Sequence, residues 1–139
     1  MSDKRLKFFG WGYEGDQVAR DELQWFERTW ARVLGTDGFS ATPAPQLADI
    51  ELRHPRVAPP ASLAAICSSE KYDRAAHSYG KSVIDLARML ARDFSNPPDV
   101  VAYPRTEQEI VALLDWAGAG AIAATPYGGG LTEFGGGSC

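Results

Sequence analysis

Basic charge, cysteine, histidine and long apolar runs are all scarce in this chain of 139 residues. Its 14 Lys and Arg stand against 18 Asp and Glu, a net charge of −4. That balance leaves no broad cationic face for a nucleic-acid backbone or an anionic membrane. No apolar stretch approaches the roughly 20 residues of a membrane span. The N-terminus, Met1-Ser2-Asp3-Lys4-Arg5, runs into aromatics and glycines rather than an apolar signal core, which argues against secretion. The two cysteines, Cys67 and Cys139, form neither a CxxC pair nor a disulfide framework. A reduced, cytoplasmic compartment is the expectation. The two histidines, His54 and His77, lack the spacing of a metal site, and no nucleophile elbow accompanies them. The sequence therefore offers no metal ligands and no catalytic residue.

What is present suits one small domain. An apolar fraction of 45% supports a core. Residues 5–15, "RLKFFGWGYEG", follow neither a helical nor a strand period, and their aromatics call for burial across another surface. Residues 16–34 have helical periodicity, with Asp16 as the expected N-cap and Gly35 as the stop. Val18, Trp25, Phe26, Thr29, Trp30 and Val33 share one face, and such a stripe is ordinarily core. Residues 36–60 are proline-interrupted, with "LADIEL" (47–52) as a short extended piece. A short helix is expected over 61–67 and a longer one over 82–92, burying Val83, Leu86, Met89 and Leu90.

From Asp99 the pattern changes. "VVAY" (100–103) reads as a strand, and Thr106 with Glu109 forms a capping box opening a helix whose inner face holds Ile110, Leu113, Leu114 and Ala117. "GAG" (118–120) closes that helix, and "AIAAT" (121–125) has the length of a second strand. The order predicts a β-α-β unit with parallel strands. "PYGGG" (126–130) then falls beyond the second strand's C-terminal end, where open α/β sheets bind ligands. Successive glycines let backbone N–H groups approach one anion closely, and a pyrophosphate suits such a loop.

Two other segments invite chemistry. "AAHSYGKS" (75–82) is a relaxed phosphate-loop pattern, with Ala75 where a glycine belongs and no apolar strand before it. His77, Tyr79, Asp73 and Arg74 are types fit for acid–base work, though nearness in sequence does not make them one site.

Five segments in order, "KFFGWGYE", "RVAPP" (56–60), "DRAAHSYGKS" (73–82), "NPPDVVAYPRTEQEIVALLDWA" (96–117) and "PYGGG", resemble the N-terminal part of FAD-binding oxidoreductases of the vanillyl-alcohol oxidase class. The similarity is greatest to bacterial relatives of alkyldihydroxyacetonephosphate synthase and runs from about Lys7 to Gly130. It implies an α+β chain in three parts. Residues 1–98 would be a helical and irregular, proline-rich extension, and 99–132 the truncated start of a PCMH-type FAD-binding domain with its first β-α-β unit. Residues 133–139 would be a linker or tag-like tail. It also implies FAD as cofactor, its pyrophosphate wrapped by Pro126, Tyr127, Gly128, Gly129, Gly130, Leu131 and Thr132. Leu131 stands where the family usually has Thr, and Glu133 where it has a small apolar residue. The implied partners are FAD and the remainder of a flavoenzyme, without which the segment would be catalytically inert. The alternatives are a non-enzymatic, self-associating helical module presenting Trp25, Phe26 and Trp30, and a nucleotide binder using 75–82.

Overall fold

The computed structural model describes residues 5–39 and 42–129. Gly130, Leu131, Thr132 and the tail at 133–139 lie outside the described residues. The elements in order are α1 (Arg20–Leu34), β1 (Cys67–Ser68), α2 (Lys71–Ala76), α3 (Val83–Leu90), β2 (Val101–Ala102) and α4 (Glu107–Ala119), with 3-10 turns at Leu47–Asp49 and Ala64–Ile66. The architecture is α+β. Its sheet among the described residues has two strands, antiparallel, with Cys67 opposite Ala102 and Ser68 opposite Val101.

The core is assembled from segments far apart in sequence. Phe8, Ile50, Ala75, Tyr79, Met89 and Phe94 form one buried cluster, with Phe9, Leu47, Tyr72 and Leu86 packed against it. Phe8 reaches it because the glycine-rich N-terminal segment folds back on itself. Leu6 bridges Tyr13, and Gly10, Gly12 and Gly15 all take positive φ, a conformation glycine adopts without steric cost. The expected burial of this segment is thus met by Phe8, whereas Trp11 and Tyr13 are exposed. Two side chains tie the segment down. The Tyr72 hydroxyl donates to the Leu6 carbonyl, and Lys81 Nζ donates to the Phe8 carbonyl at 3.0 Å.

Several local expectations are corrected. The first helix starts at Arg20, not Asp16, with Ala19 at the N-cap position. The Asp16 carboxylate instead accepts from the Tyr13 amide at 2.7 Å, closing the preceding turn. Gly35 ends the helix as expected, at φ 65°. The aromatic stripe is not core: α1 buries no residue, and Trp25 is 63% exposed, Phe26 53% and Trp30 43%. The piece at 47–52 begins as a 3-10 turn, and the helix at 61–67 contracts to a 3-10 turn before Cys67 enters β1. On α3, Met89 is fully buried, but Val83 is 81% exposed because the Ser82–Asp85 capping box places Asp85 inward. The capping box of α4 forms as expected, with its predicted inner face closed only at Ala117; Ile110 and Leu114 are exposed.

The β-α-β unit forms only in part. β2 and α4 are present, whereas 121–125 takes no strand partner among the described residues. A strand needs a neighbour to satisfy its N–H and C=O groups. β2 instead pairs backwards with β1, which leaves 121–125 without a β neighbour among the described residues. The "GAG" closure also differs in detail. Gly120 is the C-cap, but the left-handed residue is Ala121 at φ 50°, followed by Ile122 N–H donating to the Ala117 carbonyl at 2.8 Å.

The entry to β2 is held by three arginines. Asp99 accepts from Arg53 Nη1, from the Arg56 amide at 2.8 Å and from Arg56 Nη2 at 2.8 Å. Arg53 Nη2 donates to the Pro97 carbonyl at 2.6 Å, and Arg74 Nε donates to the Pro98 carbonyl at 2.7 Å. Arg74 Nη2 closes the ring by donating to the Arg53 carbonyl at 2.6 Å. Partial burial opposes the Asp99 charge, but hydrogen bonds from Arg53 and Arg56 and the positive charge of Arg53 outweigh it and hold the carboxyl well below the usual range. Burial, then the Arg53 charge, pushes Arg74 down. The "RVAPP", "DRAA" and "NPPD" segments are thereby bound together.

A candidate cofactor loop held against the end of helix two

Pro126, Gly128 and Gly129 are exposed at the surface, and Tyr127 between them is half-buried. An ideal Cβ built on Gly128 would meet no heavy atom of the described residues within 4 Å. The backbone is therefore open to a ligand on that side, which is what contact with an anion through peptide N–H groups demands. Tyr127 supplies the connection to the body. Its hydroxyl donates to the Tyr79 carbonyl at 3.0 Å, with the Ala76 carbonyl at 3.5 Å, and its ring lies 4.7 Å from the His77 ring, edge to face. The residues present fit a diphosphate-bearing group in this respect: an unobstructed glycine backbone on an anchored base.

The surroundings of His77 are polar and aromatic. His77 Nδ1 lies 2.7 Å from the Asp73 carbonyl and so carries a proton there, since a carbonyl can only accept. The Tyr103 ring stands edge-on to His77 at 5.8 Å, and its hydroxyl donates to Asp73 Oδ1 at 3.1 Å. Burial, then the Asp73 charge, pushes the Tyr103 hydroxyl up to about 12. At neutral pH it is a hydrogen-bond donor and not a base. Ser68 donates to the other Asp73 oxygen, and Arg5 Nη2 lies 3.8 Å from Oδ1. Beside this cluster is an open hollow of about 570 Å³ lined by Cys67, Ser68, Asp73, Tyr103, Arg105 and Glu109, with Ala65 and Ile66. Burial pushes the Cys67 thiol up, away from thiolate chemistry.

The acid–base grouping of His77, Tyr79, Asp73 and Arg74 is not one site. His77 meets the backbone of Asp73 rather than its carboxylate, Tyr79 packs in the core at 5.9 Å from Phe94, and Arg74 is spent on the turn before β2. The phosphate-loop pattern is also put to structural use. Residues 77–82 join α2 to α3 rather than a strand to a helix. Lys81 holds the Phe8 carbonyl, and Ser82 caps α3, its hydroxyl accepting from the Asp85 amide at 3.2 Å. Desolvation pushes the Lys81 ammonium down. Neither group faces an open phosphate cradle. Among the described residues no cluster of His, Cys, Asp and Glu is placed to hold a metal, and no helix is long and apolar enough to cross a membrane.

The sequence singles out the glycine loop, Tyr127 included, but not the contact that Tyr127 makes with the body. Nothing local in "PYGGG" indicates that Tyr127 meets His77, some 50 residues earlier in the chain. The five-segment resemblance was the available signal, since its third and fifth segments are among those that touch.

Known proteins are similar to this chain in sequence and in fold. The chain is 26% identical over 153 aligned positions to the alkyldihydroxyacetonephosphate synthase of Caenorhabditis elegans, covering 94% of this chain and 26% of that protein. Over 66 positions it is 32% identical to the Dictyostelium discoideum alkyldihydroxyacetonephosphate synthase, covering 48% of this chain and 11% of that protein. Two solved structures of alkyldihydroxyacetonephosphate synthase superpose on 96% of the chain with TM-scores of 0.72 and 22% identity, covering 30% and 28% of those chains. No known family profile matches. The chain is thus similar to alkyldihydroxyacetonephosphate synthases in sequence over nearly its whole length, and shares the fold of one part of them. It spans about a quarter of the length of the Caenorhabditis elegans relative, at 26%.

Proposed function

We propose that this chain is the N-terminal part of an FAD-dependent flavoenzyme of the alkyldihydroxyacetonephosphate synthase type. In this reading residues 99–132 begin the FAD-binding domain. Pro126, Tyr127, Gly128, Gly129, Gly130, Leu131 and Thr132 hold the pyrophosphate through backbone N–H groups. The observation that carries it is the open, anchored glycine backbone at 126–129, lying where the resemblance puts the cofactor loop. When bound, FAD supplies the redox-active ring. This chain's own residues bind and orient; none of them moves a proton or attacks a substrate, so the segment is inert alone.

The full-length gene product, purified and desalted, is expected to retain flavin absorbance. A colourless protein that also binds no added FAD contradicts the reading.

A second reading is supported by the exposed face of α1. Trp25, Phe26 and Trp30 form an apolar surface of the kind that marks an interface. Under the first reading the rest of the flavoenzyme covers it; under the second, copies of the chain associate through it. A concentration-dependent mass in light scattering, in a protein that binds no FAD, favours the second.

A further inference from the structure

Residues 123–129 are exposed with one exception, Tyr127. Among the described residues, the side-chain hydrogen bonds that hold the loop to the body come from that side chain. Its hydroxyl donates to the Tyr79 carbonyl just beyond α2 at 3.0 Å, with the Ala76 carbonyl at the helix end 3.5 Å away. Helix ends leave such acceptors without intrahelical partners. Its ring meets His77, and His77 has little freedom of its own. The imidazole is tied through Nδ1 to the Asp73 carbonyl and contacts Tyr103, which is itself bonded to the Asp73 carboxylate.

We infer that His77 and Tyr127 form a clasp that positions the glycine loop, with Tyr127 the positioning residue for a diphosphate held by the N–H groups of Gly128 and Gly129. The ligand's identity rests on the flavin reading above; the mechanical role of the clasp does not. Consecutive glycines sample the widest backbone space of any sequence, and ordering them costs the most entropy. Fixing the residue immediately before them meets part of that cost before the ligand arrives, and preorganisation of this kind appears as affinity. The edge-to-face contact of the two rings gives the clasp a preferred geometry. Tyr103 stands against His77 as a backstop.

The test uses the full-length gene product with Tyr127→Phe, Tyr127→Ala and His77→Ala. Backbone 15N order parameters at Gly128 and Gly129 are measured without ligand, and FAD affinity by flavin fluorescence. Tyr127→Ala and His77→Ala are expected to lower the order parameters of the two glycines while leaving those of α3 and α4 unchanged. Tyr127→Phe, which keeps the ring and loses the hydroxyl bond, is expected to weaken FAD binding about tenfold, the scale of one ordinary hydrogen bond, and Tyr127→Ala further. Unchanged order parameters in both alanine variants overturn the clasp, whatever FAD does. Lowered order parameters with FAD affinity equal to wild type overturn the positioning role. A wild-type protein that binds no FAD overturns the flavin reading and the ligand assignment, and the order parameters still decide for or against the clasp.

Discussion

Asp99 shows how one residue organises this chain. It is two residues before β2 and takes bonds from Arg53 and Arg56, while Arg74 holds the carbonyl next to it. Its side chain is 14% exposed. Its carboxyl lies below the ordinary value in the folded state. The linked stability is therefore present above the unfolded carboxylate value of about 3.9 and lost as pH falls below it. Asp99→Asn is expected to cost about 2–3 kcal/mol at pH 7, the scale of hydrogen bonds to a charged group. It should also flatten the fall in stability between about pH 4 and pH 2. Urea titrations at several pH values check both, and a variant as acid-sensitive as wild type contradicts the assignment. A second residue-scale prediction concerns Ala121, the left-handed residue after α4. L-residues with a Cβ are strained there, so Ala121→Gly is expected to raise stability by about 0.5–1 kcal/mol, measured by thermal melting. Gly120→Ala should not gain in the same way, since its Cβ would approach Ile122 Cδ1 to 2.9 Å.

At the scale of elements, what could be read from sequence follows the range of the forces involved. The Thr106–Glu109 capping box and the Gly35 stop use residues within four positions of one another, and both were legible. α2 was not, because "KYDRAA" carries neither a side-chain cap nor a clear apolar period and is held by what surrounds it. The pairing of β1 with β2 was illegible for a related reason: only two residues of each strand are involved, and the partners Cys67 and Ala102 lie far apart in sequence. The inner face of α1 was legible as a stripe, but nothing local says what it faces. Here that difference is measurable. Met89→Ala on α3 should cost about 2–5 kcal/mol, because Met89 is fully buried. Trp30→Ala on α1 should change the stability of this 139-residue chain by under about 1 kcal/mol, because Trp30 is already 43% exposed. Chemical denaturation of both variants decides; a large loss at Trp30 would mean the helix face is covered.

At the scale of the whole molecule, the fold brings the resemblance's segments into contact. "RVAPP" meets "NPPD" through Arg56 and Asp99, and "DRAAHSYGKS" meets "PYGGG" through His77 and Tyr127. Similarity to alkyldihydroxyacetonephosphate synthases over 94% of the chain is consistent with those contacts being the shared framework. The sequence puts the loop beyond the end of a second strand; among the described residues that strand is not formed, and Pro126, Gly128 and Gly129 are exposed. The most direct measurement of the account is FAD binding by the full-length gene product carrying Gly128→Val. Among the described residues no atom lies within 4 Å of a Cβ at Gly128, so the substitution should leave the ligand-free melting temperature nearly unchanged. It should also block the backbone's approach to a diphosphate and weaken FAD binding at least tenfold. Wild-type affinity in a stably folded Gly128→Val protein would contradict it.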